Sequence, residues 1–142
     1  MNASTAAGTV VYAIGDIHGR FDLLQALMAE IEADAARRPV AHRSFLRLIE
    51  ASHRCGDHFF AHAGVRPGVP LDRQAARDLM WIRSQFLDST LDHGAVVVHG
   101  HSIAERPQLR PNRIGIDTGA YRSGILTCLV LDGRSRHFLH TG

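Results

Sequence analysis

Lysine is absent from this sequence of 142 residues, and all 16 basic side chains are arginine. Codon bias accounts for such a composition. Arginine also suits bidentate contacts to phosphate, but one or two side chains are enough for that. Because 14 acidic residues leave a net charge of only +2, a broad basic face for nucleic acid is not expected. The composition therefore predicts no nucleic-acid partner.

Cysteine is scarce as well. The two cysteines, Cys55 and Cys128, are far apart and lack metal or redox spacing, which favours buried thiols in a reducing compartment. The start of the chain, MNASTAAG, has neither the basic nor the apolar region of a signal peptide. No apolar run approaches the length of a membrane span. We therefore expect a cytoplasmic protein without a membrane partner.

The sequence does contain the pattern of a single α/β domain over residues 1–142. Apolar residues make up 45% of the chain, enough for a core without disulfide or metal support. Periodicity predicts helices at 21–36, 43–52 and 75–86, the first with Phe21 on its apolar face. It predicts strands at 10–14, 58–63, 95–98 and 114–117, and a hairpin of strands at 126–131 and 136–139.

Three of the predicted strands end in polar clusters of one kind, GDIHG, HAG and HGH. In the first cluster, Asp16 and His18 alternate along an extended segment, so their side chains project to the same side. His62 and His101 belong to the other two clusters. Carboxylate oxygen and imidazole nitrogen together suit a borderline divalent ion such as Mn²⁺, Fe²⁺ or Zn²⁺. A lone histidine after a strand is more often structural, but three glycine-flanked clusters favour a shared metal site.

The segments GDIHG, HAGVRPGVPL, WIR, VVVHGHS and NRIGIDTGAY occur in this order and together resemble the calcineurin-like metallophosphoesterases. Within that superfamily they are most similar to bacterial serine/threonine protein phosphatases. The resemblance implies an α/β/β/α sandwich with mixed β-sheets. It also implies hydrolysis of a phosphoprotein or a small phosphate ester, with two divalent ions, Mn²⁺ first among them, activating water for in-line attack.

Matched to the family motifs, Asp16 and His18 correspond to ligands of the first metal ion. His62 and His101 correspond to ligands of the second. Arg83 of WIR resembles a phosphate-binding arginine, and Arg66 is a weaker candidate for the same role.

Two motifs of that family are absent: GDxxDRG, whose first Asp bridges the metals, and GNHE, whose His is the general acid. The chain passes from ARRP to AHRSFLRLIEAS near Pro39, as if two strand–helix units of roughly 60 residues were deleted. Gly56-Asp57 lacks the rest of GDxxDRG and is predicted to be a turn. We therefore expect impaired catalysis without a general acid, and unpaired strand edges that favour self-association.

Three other functions stay open on the sequence. The chain could be a non-catalytic remnant that binds one metal ion or phosphate. It could be a hydrolase of diadenosine tetraphosphate, because such enzymes share the metal motifs. It could also be an interaction domain in which the histidines are structural.

Overall fold

A computed structural model describes residues 3–38 and 51–142. In chain order the elements are β1 (Val10–Ile14), α1 (Phe21–Ala36), β2 (Ser52–Cys55), β3 (His58–Ala61), a 3₁₀ turn (Leu71–Arg73), α2 (Ala76–Trp81), α3 (Ser84–Leu87), β4 (Val96–His99), β5 (Gln108–Arg110), β6 (Arg113–Gly115), α4 (Ala120–Ser123), β7 (Thr127–Asp132) and β8 (Ser135–His140).

The strands form two sheets. One has three strands in the order β1-β7-β8, and each of its pairs is antiparallel. The other has five strands in the order β2-β3-β4-β6-β5. Its central strands β3, β4 and β6 are parallel, while β2 and β5 pair antiparallel at its edges. Because β3, β4 and β6 run the same way, their carboxyl ends lie along one edge of the sheet.

The core lies in three clusters because the strand side chains alternate between the two faces of each sheet. Leu27 and Ile31 of α1 pack on the outer face of the three-stranded sheet. Val98 and Leu129 belong to the cluster between the two sheets. Phe86 of α3 packs on the outer face of the five-stranded sheet. The layers are therefore helix, sheet, sheet and helix, which confirms the α/β fold class expected from the resemblance.

Two predicted helices need comment. The first has the predicted bounds, but Phe21, its first residue, is 65% exposed rather than on the buried face. The helix predicted at 75–86 is instead two helices, because Ile82 is extended with ψ 144°. In a continuous helix the Leu79 carbonyl would accept from Arg83, whereas here it accepts from the amide of Ala63 at 2.7 Å. A tertiary hydrogen bond thus ends α2.

Three short elements, β2, β5 and α4, were not predicted. The helix predicted at 43–52 lies outside the described residues except for its last two: Ala51 forms a bend and Ser52 begins β2, so the predicted end of this helix is wrong. The turn prediction for Gly56-Asp57 is confirmed, since these two residues connect β2 to β3. On the edge away from β7, β1 pairs with no strand of the described residues.

Candidate metal centre

The polar clusters of the sequence meet at one end of the molecule. Asp16 lies two residues beyond β1, His62 directly after β3, and His101 two residues beyond β4. Gly15 joins the two sheets there: a Cβ at this position would lie 2.5 Å from the carbonyl oxygen of Ile116, so only glycine allows this approach. We call this end of the sheets the site end.

The first group of candidate ligands is Asp16, His62 and His101, whose ligand atoms all lie within 4.8 Å of one another. Asp16 Oδ1 is 3.6 Å from His62 Nδ1, and His62 Nε2 is 3.1 Å from His101 Nδ1. All three side chains are partly buried. The sequence predicted these residues as ligands, and the structure brings them together at a spacing that one cation could occupy.

A second group shares Asp16 and adds His18 and Asp117, again with ligand atoms within 4.8 Å of one another. Asp16 Oδ2 is 3.7 Å from His18 Nε2. Asp117 was not predicted as a site residue. Its sequence context, IDTG after a buried strand, is the same as that of the clusters GDIHG, HAG and HGH, and could have indicated it.

Two of these candidate ligands have a strained backbone. His18 (φ 48°) and His101 (φ 61°) have positive φ, and no other non-glycine residue of the described segments does. Such conformations cost on the order of 1 kcal/mol or more and cluster at functional sites. Gly100 adds a steric constraint, because a Cβ there would overlap Asp16 Oδ1. Its amide donates to the carbonyl of His62 at 2.8 Å.

Whether these residues suit a cation can be judged from their buried polar atoms that lack hydrogen-bond partners. His101 Nε2 and Asp117 Oδ2 are both buried without a hydrogen-bond partner in the described part of the chain. Burial is the main cause that lowers the pKa of His101, followed by the charge of Arg83. Burial likewise raises the pKa of Asp117, and the nearby charge of Asp16 adds to the effect. Nitrogen and carboxylate atoms left in this state are the donors that a borderline divalent ion takes.

The two candidate phosphate-binding arginines are in different states. Arg66 donates to both carboxylate oxygens of Asp78, at 2.7 Å each, and to Gln85. The side chain of Arg83 has no ion pair or hydrogen bond within residues 3–38 and 51–142, and its charge reaches His101. Both arginines line one groove of about 390 Å³. Arg83 is therefore the one whose guanidinium is available to an anion.

One exposed aromatic ring lies beside each ligand group. The indole of Trp81 lies 5.8 Å from the His101 ring, edge on, and the side chain is 68% exposed. The phenol of Tyr121 lies 5.2 Å from the His18 ring, also edge on. His99, by contrast, is buried, packs on Phe86 and belongs to neither group.

The chain therefore has a layered α/β fold, with polar side chains gathered at one end of its strands. A solved crystal structure of a protein described as a candidate diadenosine tetraphosphatase is similar over 99% of each chain, with a TM-score of 0.68 and 17% sequence identity. No family model matches the sequence, and no curated protein is significantly similar to it. Across residues 3–38 and 51–142, none of the helices has the length and hydropathy needed to cross a membrane.

Proposed function

We propose that this protein is a divalent-metal-dependent phosphoesterase that hydrolyses a phosphoprotein or a small phosphate monoester. The observation that carries the proposal is the convergence of Asp16, His62 and His101, whose ligand atoms lie within 4.8 Å of one another. The guanidinium of Arg83, which makes no ion pair with the described residues, is close enough for its charge to act on His101. The fold of the chain is compatible with this activity, since the similar solved structure matches it over 99% of each chain.

The residues divide the work as follows. Asp16, His18, His62 and His101 hold divalent metal, for which Mn²⁺ is the first choice and Fe²⁺ or Zn²⁺ the alternatives. The bound metal supplies charge neutralisation at the phosphoryl oxygens and an activated water. Arg83 orients the phosphate through its guanidinium, with Arg66 in a lesser role. Because no residue matches the family's general acid, catalysis is impaired, and esters with good leaving groups react best.

The test is hydrolysis of an aryl phosphate with added Mn²⁺, comparing the wild type with Asp16→Asn and His62→Ala. Each variant should lose several kcal/mol of transition-state stabilisation, on the order of 10³-fold in kcat/KM. Asp72→Asn, an exposed carboxylate in the 3₁₀ turn, is the matched control and should retain the wild-type rate. Equal rates in all four proteins would remove the proposal, and bound metal without turnover would favour a non-catalytic binding protein.

A second candidate is hydrolysis of a dinucleoside polyphosphate such as diadenosine tetraphosphate. It is favoured by the exposed rings of Trp81 and Tyr121 beside the two ligand groups, since stacking of a base on an aromatic ring contributes roughly 1–3 kcal/mol. The name of the similar solved protein points the same way. Trp81→Ala and Tyr121→Ala should then reduce kcat/KM for the dinucleotide about tenfold or more, and leave hydrolysis of a phosphopeptide unchanged. Equal losses on both substrates would exclude this candidate.

A further inference from the structure

The carboxylate of Asp16 faces two histidines with different oxygens. Oδ1 is directed to His62 Nδ1 at 3.6 Å, while Oδ2 is directed to His18 Nε2 at 3.7 Å. Oδ2 also accepts a hydrogen bond from the amide of His101 at 3.2 Å. The backbone of Gly100 lies against Oδ1, so the carboxylate has little room to turn. This is the arrangement of a carboxylate placed between two cations, with one oxygen toward each.

Asp117 is buried, and only one of its two carboxylate oxygens accepts a hydrogen bond from the described residues. The residue is 3% exposed, and its Oδ1 accepts from the amide of Gly119 at 2.9 Å. Its Oδ2 has no hydrogen-bond partner among the described residues. A buried carboxylate oxygen without a partner costs free energy, so such an atom in a folded protein calls for a ligand.

The sheet register explains why this carboxylate faces the site. In the parallel pair of β4 and β6, His99 lies opposite Gly115. His101 and Asp117 each lie two residues beyond this pair, so they leave the sheet side by side. The close approach of Gly15 to Ile116 then brings Asp16 to the same place from the other sheet.

We propose that Asp117 is a ligand of a second divalent cation, which it holds together with Asp16 and His18. Asp16 then bridges this cation to the one at His62 and His101. The bridge comes from the first strand, and it replaces the bridging Asp of the absent GDxxDRG motif. The inference shares with the proposed function only the need for metal at Asp16. It is decided by metal binding, whether or not the protein turns over a substrate.

The test counts Mn²⁺ ions bound to the metal-free full-length chain by equilibrium dialysis and calorimetry. The wild type should bind two ions, and its fully loaded form should give the electron paramagnetic resonance spectrum of a spin-coupled pair. Asp117→Asn keeps the acceptor for Gly119 but removes the charge. It should weaken one of the two sites at least tenfold and replace the coupled spectrum by that of an isolated ion. Asp72→Asn, the matched control, should bind two ions.

In the binding measurements, the inference is overturned if the wild type binds one ion, or if Asp117→Asn binds two ions with wild-type affinity. If circular dichroism shows that Asp117→Asn does not fold, the wild type decides the question. In crystals soaked with Mn²⁺, the anomalous map should show two peaks, one of them coordinated by Asp117. A map without a peak at Asp117 would overturn the inference equally.

Discussion

Polar groups lack hydrogen-bond partners more often at the site end of the sheets than at the opposite end, within the described residues. At the site end, His101 Nε2, Ser102 Oγ and Asp117 Oδ2 are buried and have no hydrogen-bond partner within residues 3–38 and 51–142. Among the described residues only one further buried side-chain atom lacks a partner, Nδ1 of His58. The two non-glycine residues with positive φ, His18 and His101, also belong to the site end. That end therefore carries most of the unmet hydrogen-bonding capacity and the backbone strain.

At the opposite end the polar groups are used to join the sheets. Asp57, in the turn between β2 and β3, accepts from both the amide and the hydroxyl of Ser4. The hydroxyl of Thr5 accepts from the amide of Gly133, in the turn between β7 and β8, and donates to the carbonyl of Thr9. The N-terminal segment thus ties one sheet to the other.

From this comparison we expect the groups that stabilise the fold and the candidate metal ligands to lie at different ends of the same sandwich. Strained and unpartnered groups persist only where the rest of the structure holds them in place. Substitutions at the site end should therefore change metal binding more than folding. Substitutions at the opposite end should change folding and leave metal binding alone.

The largest effect expected from a single methyl group is that of Gly100→Ala. The added Cβ would overlap Asp16 Oδ1 and displace the carboxylate that both ligand groups share. We expect Mn²⁺ affinity to fall about 10- to 100-fold, the range seen when groups that orient metal ligands are altered. Isothermal titration calorimetry on the metal-free protein measures the change.

Gly68→Ala is the control for this prediction. Gly68 has a φ of 77° and open space around its Cβ position, so alanine there strains the backbone without touching the site. It should lower stability by about 1 kcal/mol and leave Mn²⁺ affinity as in the wild type. Similar affinities for Gly100→Ala and the wild type would contradict the steric argument.

A paired comparison of hydroxyl deletions should separate the two ends. Thr5→Val keeps the side-chain shape but leaves the Gly133 amide without its acceptor, which should lower the free energy of unfolding by about 2 kcal/mol. Ser102→Ala removes a buried hydroxyl that has no partner in the described part, so it should be neutral or slightly stabilising. Urea unfolding measures both. If Ser102→Ala lowers the free energy of unfolding more than Thr5→Val does, the opposite end is not the one whose polar groups stabilise the fold.

The sequence predicts the local parts of this arrangement and misses the non-local ones. An apolar strand followed by glycine with Asp or His is a local pattern, so Asp16, His18, His62 and His101 could be proposed as ligands. Asp117 could not, because its position beside Asp16 and His18 depends on which strands flank β6 and on the contact of Gly15 with the other sheet. The break after α2 was missed for the same reason, since it depends on the hydrogen bond from Ala63 to Leu79.

The smallest expected effect is the pH dependence of stability at the opposite end. There Asp34 of α1 contacts Tyr12 of β1, His137 of β8 and Arg38. Although burial alone raises the pKa of Asp34, hydrogen bonds from Arg38 and Tyr12, with the charges of Arg38 and His137, hold that pKa below its ordinary value. Arg38 also pairs with Asp132 of β7.

The pKa of Asp34 is lower in the folded protein than in the unfolded chain. The charged carboxylate therefore contributes fully to the free energy of unfolding above its unfolded-state pKa, and this contribution is lost as the pH falls through the folded-state pKa. Asp34→Asn should therefore be less stable than the wild type by about 1 kcal/mol at neutral pH, and the difference should shrink as the pH falls below about 4. Tyr12→Phe, which removes one hydrogen bond to the same carboxylate, should show a weaker form of the same trend. Urea unfolding at a series of pH values, without metal, measures both variants. If the difference in stability between Asp34→Asn and the wild type stays constant as the pH is lowered, the charge of the Asp34 carboxylate does not stabilise the fold. The contrast between the paired polar groups of the opposite end and the unpartnered ones of the site end would then no longer apply at this helix.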